Sequence, residues 1–319
     1  MIKVGVTGCN NLRAAELVRL LINHPDVQLQ WVTASCEPGR RVDSIVPGII
    51  GECDLLVADN VDCDVVDLVF LGAGMDQLPV EVKSQCLSQE CRLVDLTGGH
   101  NLDHGVDRPW IYGMSEMQRR VLVHDARHVT LPGAVAMATL MALLPLARNL
   151  LLNHPITVHA AMGACALDNG DNAMTDLQVL ERLARQQADE VTLALTQCQS
   201  SFNQPVDLDI TRLDQRRMLA VAVRCKCGLD IDMLTQLYDQ YYDDHNFVFM
   251  VDRPIVAADV ENTNKCLISI DKEERSGWLT VHAVVDGLLK GSAGNAVHVM
   301  NLMFGLHERA GLALKATGC

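Results

Sequence analysis

The sequence predicts an α/β fold: an N-terminal doubly wound parallel sheet of Rossmann type, completed by the C-terminal helix, plus an α+β domain with a mostly antiparallel sheet. Three observations predict it. The chain opens on a short apolar strand that runs straight into a glycine turn and a helix, a β–α–β beginning. Two later strands are nearly all apolar, as strands covered on both faces are. Beyond Pro132-Gly133 the pattern changes to strands that alternate apolar and polar residues, with few helices between them.

The elements follow in order. Residues 2–6 (IKVGV) form the first strand, and Gly8 makes the turn. Residues 14–23 form a helix whose apolar face is Leu17, Val18, Leu20, Leu21 and Ile22, with Pro25 just after its end. Residues 27–34 form the second strand. Residues 65–72 (VVDLVFLG) and 92–96 (RLVDL) are the buried-type strands, the latter followed by Gly98-Gly99. A long apolar helix is predicted from Pro132-Gly133 to about Asn153, then a strand over 156–162 and a long polar helix over 171–198. Strands over 206–213, 218–227, 265–270 and 278–285 follow, with a helix at 230–243, and the chain closes on a helix over 293–306. The length of 319 residues suits two domains: 1–133 plus 292–319 of nucleotide-binding type, and 134–291 of catalytic and dimerisation type.

Composition narrows the function classes. A hydrophobic share of 49% supports sizeable cores, and a charged share of 21% is not that of a disordered chain. The net charge of −14 repels phosphate backbones and anionic lipid, so neither nucleic acid nor membrane is the expected partner. The longest uncharged apolar run, about 133–147, is too short to span a bilayer. Residues 2–6 do not read as a signal peptide, and the expected location is cytoplasmic. The twelve cysteines are scattered with no CxxC pair, which points to small buried hydrophobes in a reducing compartment and to no metal. Cys225 and Cys227 would share one face of a strand.

Several stretches resemble one family. They are RAAELVRLLINHP at 13–25, GECDL at 51–55, WIYGMSEMQRR at 110–120, LPGAVAMATLMALLPLA at 131–147, NTNKCLI at 262–268 and, most specific, LLKGSAGNAVHVMNLMFGL at 288–306. In this order they resemble N-acetyl-γ-glutamyl-phosphate reductase of the short bacterial type, across nearly the whole chain. The resemblance implies a homo-oligomer, dimer or tetramer, of arginine biosynthesis that uses NADP. It also implies a chemistry: a cysteine thiolate displaces phosphate from an acyl phosphate, and hydride reduces the resulting thioester to a semialdehyde. A helix N-terminus activates the thiolate and a histidine manages protons.

The sequence departs from that pattern where the chemistry lies. The family's nucleophile follows the Pro-Gly pair; here that position is Ala134. Losing such a nucleophile costs roughly a millionfold in turnover, about 8 kcal/mol. The position matching the family's histidine is Gln187, and no histidine lies between His159 and His245. The family's substrate arginine is absent from Asp95-Leu96-Thr97-Gly98-Gly99-His100-Asn101. Arg212 and Arg217 stand near the family's basic groups for the acyl phosphate, or are strand-end surface charges. In the cofactor turn Gly8 remains but Asn11 replaces a glycine, and its side chain is expected to crowd the pyrophosphate. Thr33 and Ser35 end the second strand without an acid, and Arg40 and Arg41 follow, a pattern favouring NADP over NAD at a weakened site. Gly291, Gly294 and Asn295 match the family's nicotinamide-side loop. Cys165 is either a displaced nucleophile or a plain loop cysteine; Asp168 and Asp171 nearby would raise a thiol pKa. Two readings follow: a catalytically inactive relative with a binding or regulatory role, or an active NADP-dependent reductase of the family's or a related carbonyl substrate.

Overall fold

The computed structural model describes residues 1–36, 38–46, 48–73, 91–102, 110–163 and 177–317. These form two units, one holding Met1–Pro132 and Ser292–Leu314, the other holding the segments between Gly133 and Gly291.

The first unit is built on a six-stranded sheet. Its strands are β1 (Ile2–Thr7), β2 (Val27–Val32), β3 (Leu68–Leu71), β4 (Arg92–Asp95), β5 (Ile111–Tyr112) and β6 (His128–Thr130). They lie in the order β2-β1-β3-β4-β6-β5 with every pair parallel. The order reverses between β1 and β3, which opens a crevice at the carboxyl ends of those strands. Helix α1 (Leu12–Ile22) buries Leu17, Val18, Leu20 and Leu21, and begins two residues before the predicted start. Helix α2 (Ser115–His124) was not expected from the sequence. Strands β5 and β6, of two and three residues, were not expected either.

The second unit carries a mixed six-stranded sheet. Its strands are β7 (Ile156–Gly163), β8 (Val206–Leu213), β9 (Met218–Lys226), β10 (Val248–Met250), β11 (Cys266–Glu273) and β12 (Trp278–Asp286). The order is β10-β11-β12-β9-β7-β8, with the three inner pairings antiparallel and the two outer ones parallel. Helix α3 (Ala134–Arg148) is buried from Ala134 to Ala147 and packs on the sheet, with α4 (Leu177–Cys198) and α5 (Ile231–Tyr242) against it.

Helix α3 stops at Arg148, five residues short of the predicted Asn153. The apolar run continues through Leu150 to Leu152, but Leu150 takes a left-handed φ of 57° and the chain leaves the helix. Pro145 lies inside this helix and has no N–H to give the Met141 carbonyl. The Tyr242 hydroxyl donates to that carbonyl instead, and Tyr238 donates to the Ala142 carbonyl beside it. Two tyrosines of α5 thus settle the polar groups of a buried proline helix.

Helix α6 (Gly294–Met303) is fully buried and belongs to the first unit, against α1 and α2. Asn295 Nδ2 donates to the Gly113 carbonyl at 2.8 Å, and His24 Nε2 lies 3.1 Å from Asn301 Oδ1. The Arg92 guanidinium donates to the Met303 carbonyl and rests over the Phe304 ring.

Candidate functional site

In the first unit the site is the turn between β1 and α1, at the mouth of the β1–β3 crevice. Gly8 sits at a φ of 66°, which a side chain would strain. The end of β2 is stitched to this turn. The Cys9 N–H donates to the Thr33 carbonyl at 2.9 Å, the Gly8 N–H reaches the Thr33 hydroxyl at 3.4 Å, and the Ser35 N–H donates to Asn10 Oδ1 at 3.1 Å. Gly8, Asn11, Thr33 and Ser35 are therefore brought together. Asn10, from the same turn, supplies the acceptor for Ser35.

The Asn11 side chain is engaged within the turn. Its Oδ1 accepts from the Ala14 N–H at 2.8 Å as the N-cap of α1, and its Nδ2 donates to the Gly72 carbonyl at the end of β3. The amide is folded back into the helix start, where it pairs N–H groups that an uncapped first turn would leave unpaired. The residues present fit a dinucleotide here. The turn is intact, its side chains are engaged below it, and the positive end of α1 faces the crevice. Of the two arginines after β2, Arg41 is held by Asp43 and Asp54, which raise its pKa. Arg40 is exposed, with its Nε on the Ser44 hydroxyl at 3.0 Å. Cys9, buried in the turn, is no nucleophile: burial pushes its thiol up to about 12.

In the second unit the site is the start of α3. Ala134 is its first residue, buried, with Gly133 as the cap. Gln187, from α4, lies against Gly133 and accepts the Ala136 N–H at 3.0 Å. Glu190, fully buried one turn further on, accepts the Gly133 N–H at 2.9 Å, and Gln187 Nε2 approaches its other oxygen at 3.3 Å. A buried carboxylate complements the positive end of the helix. Gly291 passes so near that a Cβ on it would stand 3.0 Å from the Ala134 methyl. Ala134, Gln187 and Gly291 are thus adjacent. Glu190 joins them; it lies three residues from Gln187, a helical spacing that could have flagged it. Neither a methyl nor a carboxamide attacks a carbon or carries a proton.

Arg217 belongs to an adjoining junction, since the Asp286 carbonyl oxygen lies 3.6 Å from where a Gly291 Cβ would stand. Arg217 Nε donates at 2.7 Å to Asp286, a fully buried carboxylate that also accepts the N–H groups of Asn262, Leu288 and Leu289 at 2.7, 2.9 and 3.0 Å. Its charge is committed to that junction. Arg212 is exposed at the end of the edge strand β8. Gly294 and Asn295 are buried in α6 of the first unit. Cys165 lies outside the described residues. Cys225 and Cys227 are both buried, and burial pushes Cys225 up to about 12. Among the described residues no cluster of three or more histidines, cysteines or carboxylates could hold a metal ion, and no helix is long and apolar enough to cross a membrane.

Comparison with known proteins defines the class. Residues 3–124 match the family described as semialdehyde dehydrogenase, NAD binding domain, and residues 135–287 match semialdehyde dehydrogenase, dimerisation domain. The fold is that of solved aspartate-semialdehyde dehydrogenases. The enzyme II from Vibrio cholerae, complexed with ASA, superposes with a TM-score of 0.71 at 14% identity, covering 96% of this chain and 98% of that one. A probable aspartate-semialdehyde dehydrogenase from Pseudomonas aeruginosa gives 0.72 at 18%, covering 95% and 98%. Curated relatives are more specific. N-acetyl-γ-glutamyl-phosphate reductase from Phocaeicola vulgatus is 35% identical, and that from Bacteroides fragilis 33%, each over 99% of both chains. The chain belongs to the N-acetyl-γ-glutamyl-phosphate reductase family, within the semialdehyde dehydrogenases.

Proposed function

We propose that this chain is an NADP-binding member of its family that does not carry an acyl group on a cysteine, and that its role is one of binding or regulation beside arginine biosynthesis. The single observation behind this reading is the start of α3, where the Ala134 methyl stands in contact distance of Gly291 and beside a carboxamide that caps the helix. The glycine turn supports cofactor binding. The exposed Arg40, with no acid at the end of β2, supports a preference for the 2′-phosphate. The dimerisation-type match supports a homo-oligomer, dimer or tetramer.

The test uses the full chain. NADPH binding is followed by fluorescence, and NADP reduction is followed with N-acetylglutamate semialdehyde and phosphate. The expected result is NADPH binding without phosphate-dependent turnover, and turnover gained in Ala134→Cys combined with Gln187→His. Turnover in the unaltered chain that disappears in Cys165→Ser would overturn the proposal. A second reading, reduction of a free carbonyl without any thioester, is favoured by a histidine–aspartate pair at the end of β4.

A further inference from the structure

β4 ends at Asp95, beside the crevice, and the next five residues fold back over it. Gly98 takes a φ of 76° and the Asn101 N–H closes the turn on the Gly98 carbonyl at 3.3 Å. The turn is joined to the cofactor site, because Arg13, in the first turn of α1, donates to the Leu96 carbonyl at 3.3 Å.

Within this turn Asp95 is 1% exposed and every hydrogen bond to it serves one arrangement. Its Oδ1 accepts the Thr97 N–H at 2.8 Å and the Thr97 hydroxyl at 2.6 Å. Its Oδ2 stands 2.8 Å from His100 Nδ1. A carboxylate only accepts, so Nδ1 carries the proton and donates. The imidazole lies flat on Trp110, with centroids 4.0 Å apart and planes 22° apart, which fixes its second axis. His100 Nε2 makes no hydrogen bond among the described residues, and the side chain keeps 22% of its surface open. A buried carboxylate on one nitrogen, a stacked aromatic ring, and a second nitrogen with no hydrogen bond among the described residues on a partly exposed side chain is how a structure orients an imidazole for proton transfer. Among the described residues His128 is tilted against Trp110, with ring centroids 5.7 Å apart, and burial lowers its pKa.

The geometry points to His100 as the proton-transfer residue of a carbonyl reduction in the first unit, with Asp95 positioning it and a free aldehyde or ketone as the substrate class. This rests on the second reading above. A nicotinamide, when bound, would supply the hydride that reduces the carbonyl carbon and would itself be oxidised. The carbonyl π bond opens toward oxygen, which then requires one proton. The His100 imidazolium gives it from Nε2, the product leaves as an alcohol, and Nε2 is reprotonated from water. In the reverse direction neutral Nε2 takes the alcohol proton. No nucleophile is consumed, so Ala134 is no obstacle.

Two measurements on the full chain test it. Diethyl pyrocarbonate modification, read by peptide mass, reports Nε2 directly. His100 is modified in the free protein, and saturating NADP slows that modification at least about tenfold. NADPH oxidation is then followed with benzaldehyde and with N-acetylglutamate semialdehyde, phosphate omitted. His100→Asn keeps an N–H donor for Asp95 and removes Nε2. It is expected to bind NADPH within about twofold of the unaltered chain and to lose roughly 100-fold or more of the turnover. Asp95→Asn keeps NADPH binding but alters the pH profile of the remaining rate, since the imidazolium loses its counter-charge. If NADPH fails to bind at all, the cofactor reading fails with the proposal. If NADPH binds but His100 is modified equally with and without NADP, or neither aldehyde is reduced, or His100→Asn reduces them at the unaltered rate, the proton-transfer role alone is overturned.

Discussion

Replacing Asn11 separates two roles that its position suggests, capping a helix and obstructing a cofactor. In Asn11→Ala the N-cap bond to Ala14 is lost, a change that costs about 1 kcal/mol. The bond from Nδ2 to the Gly72 carbonyl is lost too, at roughly 1 kcal/mol for a partly buried amide pair. The sum is about 2 kcal/mol, or a fall in Tm of roughly 4–8 °C for a unit of this size. In Asn11→Gly the capping loss shrinks to a few tenths because glycine suits the N-cap, and about 1 kcal/mol remains from the Gly72 bond. Stability by urea melts therefore runs unaltered chain, then Gly, then Ala. NADPH affinity by fluorescence titration stays within about twofold in Asn11→Gly, since the side chain is already folded beneath the turn. A tenfold gain in affinity, about 1.4 kcal/mol, would mean the amide does crowd the pyrophosphate. An Ala variant as stable as the original would refute the capping account.

The buried junction in the second unit gives another test. Asp286→Asn places a side-chain N–H against donors, and costs about 3–5 kcal/mol because the Arg217 charge loses its partner. Arg217→Ala leaves three backbone donors on Asp286 and costs less, roughly 1.5–3 kcal/mol; urea melts that reverse this order would show that the arginine, not the carboxylate, holds the junction. His24 gives a pH dependence. Its Nδ1 accepts the Asp26 N–H at 3.2 Å, so Nε2 carries the proton toward Asn301 and the neutral ring is satisfied. Burial lowers its pKa in spite of the Asn301 bond. The unfolded chain therefore binds the proton more readily, and stability falls as pH drops below about 6.5, by at most about 1.4 kcal/mol per pH unit. Thermal melts from neutral to mildly acid pH should show this slope, and His24→Gln should flatten it; an unchanged slope would assign it to other groups.

Much of this was legible in the residues. β1, α1 and β2 open the chain as predicted because apolar runs and a glycine turn leave few alternatives there. The start of α1 was missed by two residues because Leu12 is exposed and breaks the apolar pattern, although Asn11 is itself a capping signal. α3 was read too far because hydrophobicity cannot register the left-handed Leu150. β5, β6 and β10 are two or three residues long, too short for any periodicity. The pairing of Ala134 with Gln187 joins residues 53 positions apart, which only the resemblance suggested. Asp95 and His100 are five apart, and the Thr-Gly-Gly between them is a turn signal that was read only as the place of a missing arginine.

α6 closes the core of a unit whose other elements all lie before residue 133. A ribosome making this chain delivers the parallel sheet first, yet the segment that covers α1 and receives Arg92 emerges only after the strands of the second unit. The strands of the second unit are complete while the first still waits for its lid. The earlier-made half therefore keeps an apolar flank open to chaperones or to misassembly while the second unit is being made. A stop codon just ahead of Ser292 would spare the later-made half and condemn the earlier one.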